Sequence, residues 1–306
     1  MRAVFVDANP ALANIAQDLH RPGEREPEVE FGRPEIIPDE LPAALAGAEI
    51  AVIDHTSLPI EVARRCAGLR HVVFLGTGAR SYMNPEALAE LGIAVHTIKG
   101  YGDTAVAECA IGLLWAAAKG YAQMDRAMRA GEWLRMEAMQ LTGKTLGLIG
   151  FGGIAAEVAR LALGIGMQVL AWNRTPKACP GVAFVALDEL LASSDAVSLH
   201  LLLDDQTKGF LSRERIAAMR RGAILVNTAR GALVDEAALI DALRSGQLAH
   251  AGLDVYAIEP LPAGHVLTTL ANVTLSAHSA FRTPEANSNL VEAAFVHCRR
   301  IAETGR

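Results

Sequence analysis

Leu141-Thr142-Gly143-Lys144-Thr145-Leu146-Gly147-Leu148-Ile149-Gly150-Phe151-Gly152-Gly153-Ile154-Ala155 is the stretch on which the fold turns. Leu146 to Ile149 reads as a short buried strand that ends in Gly150-Phe151-Gly152. Beyond the turn, Ile154, Val158, Leu161 and Ala162 recur at helical spacing. Strand, tight glycine turn and helix together set a pyrophosphate on free amides at a helix N-terminus. Gly150 permits the turn, Gly152 lets phosphates approach the backbone, and Ala155 is the small residue where helix and strand pack closely. Glycine-rich turns are often only turns. Here a second apolar run, Met167 to Trp172, completes the strand–helix–strand unit and predicts a dinucleotide site.

The residues after that second strand bear on which dinucleotide. An acidic residue about 20 positions past the glycines usually binds the ribose 2′-hydroxyl of NAD. Asn173-Arg174-Thr175 stands there instead, with donors and a positive charge that suit the 2′-phosphate of NADP. The plainer alternative is an exposed turn whose Arg174 is merely solvated. NADP is the expected preference, with NAD the other option.

Upstream, strands alternate with helices. Ala3 to Val6, Glu49 to Asp54, Arg70 to Leu75 and Ile93 to Thr97 read as strands, and Ala11 to Leu19, Leu58 to Arg65 and Pro85 to Leu91 as helices. The stretch through Pro22, Gly23, Pro27 and Pro34 reads as loop. Such alternation predicts a parallel sheet covered on both faces, with ligands beyond the carboxyl ends of its strands. Gly76-Thr77-Gly78 sits at one such end; it is either a small-anion cradle or a turn with no ligand. Asp103 is placed to cap a long helix that is apolar nearly all round and therefore buried, and a more polar stretch, Gln123 to Trp133, follows it. The first domain boundary falls near Lys99 to Gly102.

Downstream, Asp195 to Leu199 is a strand with His200 at its end, a histidine more often structural than catalytic in such a setting. Ser212 and Asp235 are placed as helix caps, and Ala223 to Val226, Ala249 to Leu253 and Val273 to Leu275 read as strands. The last helix runs from Pro284 to about Ile301. Arg230, Asp254, Glu259 and His278 lie at or just past strand ends in this half. Each alone has a dull explanation. Together they offer a carboxylate binder, a hydrogen-bond acceptor for a carboxamide and an acid–base pair, the parts that reversible hydride transfer to a 2-keto acid requires.

Composition narrows the class. The chain has 306 residues, 51% hydrophobic and 20% charged, with a formal net charge of -6 and no basic cluster, so neither nucleic acid nor a membrane surface is an expected partner. No apolar run is long enough to span a bilayer, and no signal segment opens the chain. Cys66, Cys109, Cys179 and Cys298 are scattered without metal-ligand spacing, which predicts reduced thiols, no metal and a cytoplasmic location.

At these residues the sequence resembles the D-isomer-specific 2-hydroxyacid dehydrogenases over nearly its whole length. The markers are Gly76-Thr77-Gly78, Val106-Ala107-Glu108, the stretch Gly143 to Gly152, Val226-Asn227-Thr228-Ala229-Arg230-Gly231, Val234-Asp235-Glu236, Leu253-Asp254-Val255-Tyr256 before Glu259-Pro260, and His278 with Thr283-Pro284-Glu285-Ala286. The resemblance implies an α/β chain in which a Rossmann-type dinucleotide-binding domain, residues 100–280, is inserted into a smaller flavodoxin-like α/β substrate domain formed by residues 1–99 and 281–306. It implies that Arg230 holds the substrate carboxylate and carbonyl, that His278 is the general acid/base paired with Glu259, and that the amides around Thr77 and Gly78 share the carboxylate. Cofactor contacts are implied for Gly150, Gly152, Gly153, Ile154, Asn173, Arg174, Thr175, Thr104, Ala229, Ala280 and, through the nicotinamide carboxamide, Asp254. A homodimer formed through the cofactor domain is implied in the same way.

The chain departs from the family pattern in places. Gly153 stands where Arg is common, Ala155 replaces the third Gly, and Leu202 replaces a Pro. The loop Ala79 to Met83 lacks its usual aspartates, so Arg80 is a candidate for a second anionic group on the substrate, or else a solvated surface residue. Glu259 argues against formate, which relatives with Gln at that position oxidise; no Lys stands close to Thr77, as phosphite oxidation would need. The expected activity is interconversion of a short 2-keto acid and its D-2-hydroxy acid. A dinucleotide-sensing corepressor or scaffold of the same fold is the alternative.

Overall fold

The computed structural model describes residues 1–21, 28–175 and 177–305. These form two compact units, Met1–Gly102 with Arg282–Arg306, and Asp103–Phe281. The expected loop at Pro22, Gly23 and Pro27 lies outside the described residues.

The first unit begins β1 (Arg2–Phe5), α1 (Pro10–Leu19), β2 (Glu28–Phe31), α2 (Leu41–Ala44), β3 (Ile50–Ile53), α3 (Ile60–Ala63), β4 (His71–Phe74), α4 (Pro85–Glu90) and β5 (Ala94–Thr97). The strands form one parallel sheet in the order β2-β1-β3-β4-β5, the flavodoxin-like arrangement. β3 and β4 are buried along their whole length, as a sheet covered on both faces demands. β2 alternates exposed and half-buried residues, Glu28 to Phe31, and went unread in the sequence because edge strands carry no continuous apolar run. The helix expected from Leu58 to Arg65 is a single turn, since Pro59 immediately precedes it.

The second unit runs through α5 (Asp103–Lys119), α6 (Tyr121–Arg129), β6 (Thr145–Ile149), α7 (Gly153–Gly164), β7 (Gln168–Trp172), β8 (Val182–Phe184), α8 (Leu187–Ser193), β9 (Ala196–Leu199), α9 (Arg213–Ala218), β10 (Ala223–Asn227), α10 (Glu236–Ser245), β11 (Leu248–Leu253), α11 (Val266–Thr269) and β12 (Val273–Leu275). Its parallel sheet has the order β12-β11-β10-β9-β6-β7-β8. Strand order reverses between β6 and β9, the topological switch point of a doubly wound fold, and the glycine turn leaves β6 there. Asp103 is the first residue inside α5 rather than its cap. The polar stretch from Gln123 is helical as α6, whose apolar positions are too few for the pattern to show in the sequence.

α12 (Pro284–Thr304) closes the chain and belongs to the first unit. Its Leu290, Val291, Ala294, Phe295, Cys298 and Ile301 share a core with Leu12 and Ala16 of α1 and with Phe5, Val52 and Val73 of the sheet. In the second unit α5 and α7 lie on one face of the sheet, where Ala107, Ala110, Ala155 and Ala159 allow close approach. Among the described residues no helix is long and apolar enough to cross a membrane.

Candidate active site

The glycine turn is built as a dinucleotide cradle needs. Gly150 has φ of +88°, and a Cβ there would stand 2.6 Å from the His200 carbonyl oxygen, so only glycine lets β6 turn beside the end of β9. Gly152 is the N-cap of α7, and a Cβ on it would meet nothing within 4 Å, which leaves its outer side open to a ligand. The first intrahelical bond of α7 runs from the Ala156 amide to the Gly152 carbonyl, so the amides of Gly153, Ile154 and Ala155 have no acceptor among the described residues. Free amides and the positive end of a 12-residue helix are what a pyrophosphate requires, and the cradle fits one.

The turn beyond β7 differs from expectation in one respect. Asn173 does not present its amide outward: Oδ1 accepts from the Phe151 amide at 3.0 Å, and Nδ2 donates to the Thr175 carbonyl at 2.8 Å. It ties the glycine turn to the segment bearing Arg174 and Thr175, both of which are exposed. Lys177, not singled out in the sequence, donates to the Phe151 carbonyl at 2.5 Å and adds a second cation to this turn. Its signal was a basic residue within the same polar segment, three places past Arg174. Asp204 lies near enough for the Arg174 charge to help lower its pKa, after the hydrogen bond from Thr207.

His278 and Glu259 come together as a pair. Nδ1 of His278 is 2.6 Å from Oε2 of Glu259, and Oε1 accepts from the Tyr256 amide at 2.9 Å. Partial burial pushes the Glu259 carboxyl up, but the His278 hydrogen bond, the Tyr256 amide, and the charges of His278 and Arg230 outweigh it and hold it below 4.5. The carboxylate therefore stays ionised and orients the ring, leaving Nε2 of His278 to give or take a proton. His278 has φ of +49°, a left-handed conformation that costs a non-glycine residue roughly 1–3 kcal/mol and must be held by its surroundings.

Asp254 does that holding. It is 0% exposed; its Oδ1 accepts from Ser276 Oγ at 2.6 Å and the Ser279 amide at 3.0 Å, and its Oδ2 accepts from the Ala280 amide at 2.9 Å. Its carbonyl accepts from the His278 amide at 2.7 Å. The carboxylate thus clamps the turn that presents His278. Arg230 is half-buried at the end of β10, with Nη1 donating to the Ala229 carbonyl at 2.7 Å. Ala229 is half-buried, Ala280 is buried, and Thr104 is exposed in the first turn of α5. His200 is structural in character: burial pushes it down to about 4, and its Nε2 has no partner among the described residues.

In the first unit, Thr77 is exposed at the end of β4, and neither it nor Gly78 gives its amide to an acceptor among the described residues. Arg80 forms a two-pronged ion pair with Glu86 on α4, both side chains being exposed. Among the described residues no group of three His, Cys, Asp or Glu could hold a metal ion.

A doubly wound parallel sheet with a pyrophosphate cradle at its switch point and a buttressed histidine beyond its carboxyl edge defines a nicotinamide-dependent dehydrogenase. The chain belongs to the D-isomer-specific 2-hydroxyacid dehydrogenases: the model of that family's NAD-binding domain matches residues 111–280. It is 34% identical to a glycerate dehydrogenase of Methylorubrum extorquens, over 83% of this chain and 83% of that protein. It is 35% identical to a hydroxypyruvate reductase of Thermotoga maritima, over 85% and 86% respectively. Among solved structures, the TT0316 protein from Thermus thermophilus superposes with a TM-score of 0.87 at 36% identity, covering 100% of this chain and 98% of that one. A glyoxylate reductase from Paecilomyes thermophila gives 0.86 at 29% identity, covering 100% and 96%.

Proposed function

We propose that the chain reduces a short 2-keto acid, glyoxylate or hydroxypyruvate, to its D-2-hydroxy acid with NADPH as preferred coenzyme. The observation that carries the reading is the 2.6 Å pair of His278 and Glu259, a proton source held in place by an ionised carboxylate. The nicotinamide supplies the hydride when bound. Arg230 grips the substrate carboxylate through its planar fork and polarises the neighbouring carbonyl, which the point charge of Lys does not reproduce. His278 delivers a proton to the carbonyl oxygen in reduction and accepts it in oxidation, and the Thr77 and Gly78 amides share the carboxylate. In this reading residues 1–99 and 281–306 are the substrate domain and residues 100–280 the cofactor domain.

The substrate class is supported by relatives named for glycerate, hydroxypyruvate and glyoxylate. The coenzyme preference is supported by Asn173 in place of an acid and by the exposed Arg174; a structural relative at 26% identity, an acyclic imino acid reductase, was solved with NADPH. A corepressor or scaffold role is not favoured, since the relatives are named as enzymes. Initial rates with a panel of 2-keto acids and both coenzymes test the reading. The expected outcome is turnover of glyoxylate or hydroxypyruvate with a lower KM for NADPH than for NADH; a lower KM for NADH would overturn the preference, and no turnover of any 2-keto acid would overturn the activity.

A further inference from the structure

Gly153 departs from the family pattern, and its neighbour gives the reason. A Cβ at residue 153 would overlap the carboxylate of Asp103, whose Oδ2 occupies that space and whose Oδ1 stands 3.5 Å from it. The two residues are the first of α7 and of α5, helices packed along each other through small side chains. Glycine at 153 therefore admits an acidic group beside the free amides of the cradle, where the pattern more often places a cation.

That carboxylate is unspent. It makes no hydrogen bond or ion pair with any described residue, although it is only partly exposed. Burial pushes its pKa up, and the nearby Glu157 adds to the rise even though Glu157 is itself paired with Arg160. The Asp103 oxygens are not among the buried unsatisfied atoms, so water reaches them, and a ligand that brings donors can take the place of that water. Next to a bound pyrophosphate, the donors at hand are sugar hydroxyls. Asp254, just past the end of β11, is fully buried and already satisfied.

We propose that Asp103 is a dinucleotide-binding residue that accepts a hydrogen bond from a hydroxyl of the nicotinamide-side ribose, and that Gly153 exists to make room for it. This rests on the reading of the α7 N-terminus as the pyrophosphate cradle. The group contacted is common to NADH and NADPH, so Asp103 contributes affinity without choosing between them, whereas the turn at Arg174 chooses. The rival explanation is a purely structural one, in which the carboxylate only meets the positive end of α7 and contributes to stability.

Fluorescence titration of the native protein with NADH, NADPH and ADP, repeated for Asp103→Asn and Gly153→Ala with thermal melting alongside, separates the two. Expected is a loss of at least tenfold in affinity for both NADH and NADPH in each variant. The alanine methyl displaces the carboxylate without removing it. ADP, which lacks the second ribose, is expected to bind the native protein and Asp103→Asn alike. Unchanged or tighter NADH binding by Asp103→Asn overturns the proposal, as does a lowered melting temperature with unchanged affinity, or a loss shared equally by ADP. Gly153→Ala serves as the deciding variant if Asp103→Asn does not fold. Absence of dinucleotide binding by the native protein would instead overturn the cradle itself.

Discussion

At the scale of single residues the chemistry rests on side chains whose freedom has been removed. His278 is held by its amide to Asp254, by Nδ1 to Glu259, and by a left-handed backbone. Glu259→Gln keeps the size but removes the carboxylate that fixes the His278 ring. The kcat for reduction should fall about a hundredfold from loss of that orientation, with dinucleotide affinity little changed. Native-like turnover in the variant would show that Glu259 does not act on His278. The native carboxylate has its own acid limit. Its folded pKa lies below 4.5, so the pair contributes in full above about that pH and is lost only as pH falls through the lowered value. Arg230→Lys retains charge without the bidentate fork; kcat is expected to fall about a hundredfold from misorientation alone, with dinucleotide affinity little changed. Near-native turnover would remove Arg230 from the mechanism.

At the scale of elements, caps and turns place these residues. Ser212 accepts from the Arg215 amide at the start of α9, and Asp235 accepts from the Ala238 amide at 3.0 Å at the start of α10, both as their residue types predict. Asp235→Ala should cost about 1 kcal/mol, read as a lower denaturant midpoint with an unchanged slope, and should leave the KM for substrate alone. A much larger loss would mean that Asp235 holds more than one helix end. The strands of the sheet interiors were legible because burial on both faces demands continuous apolar runs, as in Leu146 to Ile149 and Ile224 to Val226. β2 and β8 were not, because three or four residues at a sheet edge carry too little pattern. Asp103 looked like a cap because a cap and a first-turn acid share the same chemistry; only the helix start distinguishes them.

At the scale of the whole molecule, histidines set an acid limit on stability. Burial pushes His96, His200 and His250 each down to about 4, and lowers His71 and His297 too. Their unfolded value is near 6.5, so below that pH the unfolded chain binds protons that the native state refuses. The contribution of these histidines is therefore expected to be full above about pH 6.5, to fall progressively toward pH 4, and to level only below the folded values. His71, His96 and His297 form a row, with His71 Nδ1 3.3 Å from His96 Nε2 and the His96 and His297 rings 5.8 Å apart, so His96→Asn should recover part of the loss. A melting temperature independent of pH between 4 and 6.5 would contradict this. The second unit also exposes Trp133 at 75%, Tyr121 at 56% and Met128 at 50%, apolar surface of the kind that the homodimer implied by the family resemblance would cover. Sedimentation should give twice the chain mass for the native protein and a monomer for Trp133→Glu; a native monomer would refute it.

By itself the sequence determined the doubly wound architecture, the glycine cradle at the first strand of the second unit, and the identity of Arg230, Glu259 and His278 as the residues to watch. Periodicity, glycine turns and strand-end residues are local properties, and local properties survive in a string of letters. What only the tertiary structure decided is how polar side chains are spent. Asp254 and Asn173 look available in sequence, but one is buried in a clamp and the other ties two turns together. Arg80 pairs with Glu86, six residues on, while Asp103 is left without a partner beside a glycine fifty positions away. A polar group's role depends on which donors and acceptors reach it after folding, and those come from segments far apart in the chain.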